Sequence, residues 1–261
     1  MFQSLILGSK SMRQQLVRRR LALLGIGTAI LAHGLALAAR PQLTLATGTL
    51  PPLASRPGHT GFLEALAVEV FNRIGYDVAL LKLPFERALL NANAGVEDGD
   101  VFRAAGFERD YPNLLRVPER VLDLDFVAYA LRPDVQVRDW GDLARYNVGY
   151  VNGWKIFERN VKAARDITTV RELDQLMPLL IRGRADVVLV DRWQGLWLAR
   201  EAGLRLRPLE PPLARADMFM YLHRKHEALV APVAAALAEV KRTGIWQRLV
   251  DEKLKPLEPA R

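Results

Sequence analysis

The 261-residue chain is 50% hydrophobic and 25% charged, a composition that predicts a folded protein and excludes intrinsic disorder. Five of its eight net positive charges lie within residues 1–38, so the remainder carries a net charge of +3. That charge is too small for the dense basic surface that nucleic-acid binding needs. Because the chain has no cysteine, disulfides, thiolate metal sites and cysteine nucleophiles are also excluded.

Residues 1–38 have the pattern of a secretory signal. A basic segment ending in Arg18-Arg19-Arg20 precedes an apolar stretch at 21–37, and Ala36-Leu37-Ala38 supplies small residues at the cleavage site. We therefore expect a signal peptide over residues 1–38 and a periplasmic product. The alternative is an uncleaved anchor, since the apolar stretch is close to the minimum of about 17 residues that spans a bilayer.

Strands and helices alternate through the first part of the chain that follows. Hydrophobic periodicity and Gly/Pro punctuation predict a strand at 43–47, a loop at 48–61, a helix from 62 to a glycine stop at 75, a strand at 78–83, a proline-initiated helix at 84–93 and a strand at 98–105. A β-like run at 123–131 ends this unit.

The same alternation then begins again. The predicted elements are a strand at 146–151, a helix at 154–164, a strand at 167–170, a helix at 171–182, a strand at 185–190, a helix through 202 and a strand at 204–206. Prolines at 208–212 break the pattern, and a strand at 218–222 and helices at 227–240 and 244–253 complete it. This order predicts an α/β protein with parallel sheets, in two units joined near 128–132 and 214–220.

Several motifs appear in the order typical of one protein family. They are Gly61-Phe62-Leu63-Glu64 at the first helix, the run 183–191 that ends in Val190-Asp191, and the junction Lys241-Arg242-Thr243-Gly244. With the segments 84–88, 98–103 and 111–118, this order resembles a divergent subgroup of bacterial extracellular solute-binding proteins of the amino-acid type. The chain departs from the usual Thr-x-x-Arg pattern of that family at 106–110.

The resemblance implies a two-lobed type II periplasmic-binding-protein fold in which each lobe is a sheet flanked by helices and two crossovers form the hinge. Lobe 1 would comprise residues 39–129 and 217–261, and lobe 2 residues 130–216. The implied function is capture of a small polar ligand, an amino acid or an analogue, and its delivery to the permease of an ABC importer. We expect a monomer without cofactor, metal or enzymatic activity.

Two arginines are the main first-lobe candidates for gripping a ligand carboxylate, because a guanidinium offers paired planar donors. Arg103 follows a short apolar strand, and Arg109 lies nearest to the family's usual arginine position. Either could instead be a solvated surface charge. Further first-lobe candidates are Phe62, Glu64 and Arg87.

Second-lobe candidates lie where strands end. Asp191 ends an apolar strand, so it could deliver a carboxylate to the ligand's ammonium group, as the resemblance implies; alternatively it caps the following helix. Gly153 and Trp154 join a strand to a helix, where free backbone N–H groups could take an anion and the indole could form a pocket wall. Packing in the core is the alternative role of Trp154.

Two other functions remain open at this stage. A periplasmic enzyme on the same fold, such as a dehydratase, would need a general acid or base, for which Glu64, Glu86 and Asp191 are available. No Ser-His-Asp or paired-carboxylate spacing accompanies them. A ligand sensor for a separate membrane partner is the third function. A metal site is not expected, because His223 and His226 lie in a polar turn and His33 lies in the signal.

Overall fold

A computed structural model describes residues 39–258, so the predicted signal peptide lies outside the described residues. The described residues from Pro41 onward form one compact unit. The strands are β1 Gln42–Thr47, β2 Asp77–Lys82, β3 Gly99–Ala104, β4 Leu114–Tyr129, β5 Asn147–Val151, β6 Asp166–Val170, β7 Val187–Asp191 and β8 Leu209–His223. The α-helices are α1 Phe62–Arg73, α2 Phe85–Ala94, α3 Lys155–Asn160, α4 Leu176–Ile181, α5 Arg192–Glu201, α6 Val230–Arg242 and α7 Ile245–Lys253.

The described strands form a mixed sheet in the order β2-β1-β3-β8-β4-β7-β5-β6. Within the first half-sheet, β2-β1-β3, the strands are parallel, and they are parallel again within the second half-sheet, β7-β5-β6. The long strands β4 and β8 pair antiparallel between the two halves. The sequence prediction of an α/β fold with two strand–helix units is confirmed. The sequence predicted parallel sheets and did not predict the antiparallel pair of β4 and β8.

Each half-sheet is stabilised by helices whose apolar faces are buried. Along α1, Phe62, Leu66 and Val70 are fully buried at four-residue spacing, which is the periodicity of one helix face. Every residue of β7 is buried, as expected for an inner strand that is covered on both faces. The core is therefore continuous across both half-sheets.

Two sequence predictions are wrong in the region between α5 and β8. Residues 204–206 form no strand, because Gly203 ends α5 in a left-handed conformation and the Leu204 N–H closes the last turn on the Ala199 carbonyl at 2.8 Å. Pro211 and Pro212 do not break the chain into a loop; they lie within β8, where the pairing with β4 shifts register. Prolines are tolerated at such irregularities because no ladder hydrogen bond is lost.

The predicted boundaries of three other elements also differ. Strand β4 begins at Leu114, nine residues before the predicted run at 123–131. The prediction missed this first part because charged residues and Pro118 obscure the alternation of apolar residues. Helix α3 ends at Asn160 rather than at 164. The predicted helix at 171–182 consists of a 3₁₀ turn, Leu173–Gln175, followed by the short α4. Within residues 39–258, no helix has both the length and the apolar character that a bilayer crossing requires.

One close approach fixes α5 against β4. A Cβ atom on Gly195 would lie 2.1 Å from the ring of Tyr129, so only glycine lets the helix approach this strand. The Tyr129 hydroxyl donates to the carbonyl oxygen of Arg192 at 2.9 Å. Helix α5 is thus held where its first turn faces the centre of the sheet.

We expect Gly195→Ala to lower the free energy of unfolding by about 1–3 kcal/mol, because the added methyl group forces the Tyr129 ring or the helix to move. Chemical denaturation of the variant and of the parent protein measures the difference. Arg200→Ala, on the exposed side of the same helix, is the matched control and should change stability little. Equal stability of Gly195→Ala and the parent would contradict this packing.

Candidate functional site

A pocket lies at the centre of the sheet, between the two half-sheets. Its volume is about 90 Å³, enough for several water molecules or a small ligand, since one water needs about 10–15 Å³. Residues from both halves and from the connecting strands line it: Thr49, Phe85, Phe102, Arg103, Ala104, Phe107, Leu124, Phe126, Gly153, Trp154, Lys155, Ile156, Gln194, Ala216 and Met218.

Aromatic rings make most of the pocket wall. Phe85, at the start of α2, meets Trp154 edge to face at a centroid distance of 4.9 Å. Trp154 also stacks on Phe157 at 5.4 Å and meets Phe126 edge to face at 5.9 Å. Because Phe85 precedes β4 in the chain and Trp154 follows it, this cluster closes one side of the pocket across the two halves.

Arg103, a predicted ligand-binding residue, lies on the pocket wall and is only 5% exposed. Its Nε donates to Asp100 Oδ2 at 2.9 Å and its Nη2 donates to the Phe85 carbonyl at 3.1 Å. Burial raises the pKa of the Asp100 carboxyl, and the positive charge of Arg103 opposes that rise. Asp100 therefore orients the guanidinium and balances its charge at the edge of the pocket.

Asp191 ends β7, as predicted, but the structure places its carboxylate at the helix cap rather than on the pocket wall. Oδ1 accepts the backbone N–H groups of Trp193 and Gln194, both at 3.1 Å, and Oδ2 accepts the Gln194 side-chain amide. Complete burial raises the pKa of Asp191 to about 6, and these hydrogen bonds oppose the rise. The capping role that the sequence left open is thus present, and Gln194 is the residue that reaches the pocket.

Gln194 was missed in the sequence analysis. It is 1% exposed, lines the pocket, and accepts the Leu50 N–H on Oε1 at 2.7 Å. Leu50 belongs to the loop that follows β1, so this hydrogen bond joins the two halves. The only sequence signal was its position three residues after the strand-ending Asp191, on the first turn of the helix.

The loop between β5 and α3 contributes Gly153, Trp154 and Lys155 to the pocket, in agreement with the predicted position of the first two. The Gly153 N–H donates to Glu158 Oε1 at 2.7 Å, so that group is not available to an anion. Lys155 pairs with Glu158 at 3.0 Å and with Glu86, across the cleft, at 3.6 Å. Hydrogen bonding to Glu158 raises the pKa of Lys155.

Four other predicted residues lie away from the pocket wall. Arg87 and Arg109 are exposed, and Phe62 is fully buried in the core beneath Trp246. Glu64 accepts the Ser55 N–H at 2.9 Å and so holds the loop after β1. Among residues 39–258, no three His, Cys, Asp or Glu side chains group closely enough to hold a metal ion.

The chain matches no protein-family model. An uncharacterized protein of Shewanella oneidensis is 23% identical over 199 residues, which cover 73% of this chain and 75% of the relative.

Solved structures are similar over most of the described chain. A histidine kinase sensor domain with similarity to periplasmic binding proteins matches with a TM-score of 0.73 at 18% identity, over 85% of this chain and 98% of that chain. An ancestral arginine-binding protein bound to glutamine matches with a TM-score of 0.72 at 16% identity, over 82% and 98%. The substrate-binding protein of an amino acid ABC transporter matches with a TM-score of 0.68 at 16% identity, over 82% and 99%.

These similarities establish that the chain has the two-lobed fold of periplasmic binding proteins, as predicted. A further neighbour is an ancestral amino acid-binding protein described as a precursor of cyclohexadienyl dehydratase, with a TM-score of 0.69 at 14% identity. At such identities the match concerns the fold, which hosts binding proteins, a sensor domain and the ancestor of an enzyme.

The raised pKa of Asp191 predicts a pH dependence of stability. Between its ordinary value near 3.8 and about 6, the folded state holds a proton that the unfolded state has released. The free energy of unfolding should therefore fall as pH rises through this window, by up to about 3 kcal/mol from this residue.

Asp191→Asn should remove this contribution and flatten the pH profile between 4 and 6, since Asn caps helices as well as Asp but does not ionise. Denaturant midpoints measured at several pH values give the slope. Asp166→Asn, at an exposed position on β6, is the control. Identical slopes in the parent and in Asp191→Asn would show that Asp191 keeps an ordinary titration.

Proposed function

We propose that the protein is a periplasmic solute-binding receptor that captures a small polar ligand, an amino acid or an analogue, and delivers it to the permease of an ABC importer. The observation that carries the proposal is the pocket at the junction of the two half-sheets, with walls from both. The amino-acid-binding neighbours support the ligand class, and the ABC transporter neighbour supports the partner. Export through residues 1–38 belongs to the same proposal.

The lobes would be residues 39–129 with 217–261, and residues 130–216. Sheet order supports this division, because each proposed lobe contains one parallel half-sheet and the chain passes between them only through β4 and β8. Bending of these two strands would open the pocket, as in hinge closure around ligands.

Contacts across the cleft support a closing motion. Exposed ion pairs join Arg159 to Asp110 at 3.2 Å and Lys155 to Glu86 at 3.6 Å. Such surface pairs contribute little stability, typically about 0–1 kcal/mol each. A ligand that contacts Arg103 on one side and the Trp154 loop on the other would add the differential affinity that favours the closed form.

The neighbours also support two other uses of the fold, as the ligand-sensing part of a signalling system and as an enzyme. A sensor would bind ligand in the same pocket and would need a different partner. An enzyme would need a group that transfers protons, and the raised pKa of the pocket-lining Lys155 does not favour that role. Measurement of substrate turnover distinguishes the enzyme from the importer receptor and from the sensor, neither of which converts its ligand.

Ligand-dependent stabilisation tests the receptor. The protein is refolded from denaturant to remove any bound ligand, and thermal unfolding is followed against amino acids, monocarboxylates, polyamines, dicarboxylates and small sugars. A ligand at 100 times its Kd should add about 2.7 kcal/mol of stability. A saturable increase without product formation is the expected result, and no increase across the panel would contradict the proposal.

Arg103→Ala should weaken binding of the ligand found in this panel by about 2 kcal/mol or more, since it removes a buried charged donor and leaves Asp100 unpaired. Isothermal titration measures the affinity. Arg109→Ala, which removes an exposed arginine of the same lobe, should leave the affinity within about twofold of the parent. If Arg103→Ala and Arg109→Ala weakened ligand binding by similar amounts, Arg103 would not be the residue that binds the ligand carboxylate.

A further inference from the structure

The ionisable groups that line the pocket have one sign. Among the described residues, the pocket wall holds the cations Arg103 and Lys155 and no carboxylate or imidazole. An amino-acid ligand carries an ammonium group as well as a carboxylate, and a buried ammonium group requires acceptors, preferably charged ones. The charged groups of the pocket lining therefore suit the carboxylate of an amino acid and not its ammonium group.

The acids that are hydrogen-bonded to pocket-lining residues are already engaged. Asp191 accepts three N–H groups at the cap of α5, and Asp100 accepts Arg103 together with the Phe102 N–H at 3.0 Å. Glu158 accepts the Gly153 N–H and the Lys155 ammonium. An incoming ammonium group would have to break one of these arrangements.

The neutral side-chain oxygens of Gln194 and Thr49 on the wall are engaged in the same way. Gln194 Oε1 accepts the Leu50 N–H at 2.7 Å, and Thr49 Oγ1 shares a hydrogen bond with Thr47 Oγ1 at 3.0 Å. Glu86 lies across the cleft with 46% of its side chain exposed, and its carboxylate is 3.6 Å from Lys155. It belongs to the mouth of the cleft, where water competes for it.

In contrast, two N–H donors of pocket-lining residues have no hydrogen-bond acceptor among the described residues. Within residues 39–258, Arg103 Nη1 has no hydrogen-bond partner, although the other two nitrogens of the guanidinium are bonded. Trp154 is 7% exposed, and its indole Nε1 is buried without a partner. The Phe85 ring contacts both residues, with the Arg103 guanidinium carbon 5.4 Å and the Trp154 ring 4.9 Å from its centroid. A buried N–H group without an acceptor is costly, so an acceptor supplied by a bound ligand would stabilise the Trp154 indole.

The rest of the wall is apolar. The rings of Phe85, Phe102, Phe107 and Phe126 surround the space, and Leu124, Ile156 and Met218 complete it. These side chains offer contact to a hydrocarbon body and no hydrogen bonds to hydroxyl or amide groups.

We propose that the ligand is a small carboxylate with an apolar body, aromatic or branched, and no ammonium group, whose carboxylate is held by Arg103 Nη1 and Trp154 Nε1. This inference rests on the proposed receptor function and narrows its ligand from amino acids and their analogues to carboxylate analogues that lack the ammonium group. Specificity against amino acids follows from the cost of burying an ammonium group for which the pocket wall has no free charged acceptor.

Matched ligand sets test the class. One set has the same aryl body in 3-phenylpropionate, L-phenylalanine and 2-phenylethylamine, and the second has the same branched body in 4-methylpentanoate, L-leucine and isopentylamine. Each compound is titrated into the refolded protein by calorimetry and by thermal unfolding. At least one carboxylate should bind, with an affinity about tenfold or more above that of its own amino acid, and the amines should not bind.

Two variants test the donors. Trp154→Phe keeps an aromatic ring and removes the indole N–H, and should weaken carboxylate binding about tenfold, the typical effect of one hydrogen bond to a charged group. Arg103→Lys keeps the charge and removes the planar donors, and should weaken it at least as much. Trp246→Phe is the matched control. It also removes an indole N–H, but that N–H donates to the Val121 carbonyl outside the pocket. The affinity of this variant for the carboxylate should therefore equal that of the parent.

An amino acid or amine that binds as tightly as its carboxylate would overturn the inference. So would failure of both carboxylates to bind, or an unchanged affinity in Trp154→Phe. The proposed receptor function would survive each of these results if another compound of the wider panel stabilised the protein, and it would fail only if none did.

Discussion

The antiparallel pairing of β4 with β8 is the interaction on which the rest of the structure depends. It joins two parallel half-sheets that have no other strand contact with each other. Leu124 and Phe126 of β4, with Ala216 and Met218 of β8, also form the floor of the pocket. Because the same two strands carry the connection and the floor, any bending between the halves changes the shape of the site. Register shifts along the pair show that its ladder is already irregular, which suits a hinge.

Polar contacts between the halves are of two kinds, and they differ in strength. The Leu50–Gln194 hydrogen bond is part-buried and is oriented by Asp191, so breaking it exposes polar groups that have no alternative protein partner. The ion pairs at the rim are exposed and screened by solvent. The polar contacts between the halves therefore comprise one internal hydrogen-bond chain and weaker ion pairs at the rim.

Polar groups around the pocket are used mainly to position one another. Asp100 orients Arg103, Asp191 orients Gln194, and Glu158 orients Lys155 and the Gly153 N–H. Both oxygens of each acid are thereby engaged, and the charged side chains that line the pocket in the described part of the chain are the cations Arg103 and Lys155. This arrangement explains how a chain with several acids near a cleft can still present a cationic, apolar surface.

Local pattern in the sequence determined the two strand–helix units, the buried face of α1, the apolar strand β7 and the placement of Asp191 at its end. These features depend on neighbours within a few residues, so periodicity and capping chemistry suffice to predict them. The tertiary structure alone decided that β4 and β8 pair, that Asp191 caps α5 while Gln194 reaches the pocket, and that Phe85 meets Trp154. Each of these contacts joins residues distant in the chain or selects between two allowed roles of one side chain, and pairing and burial, rather than local propensity, decide such choices.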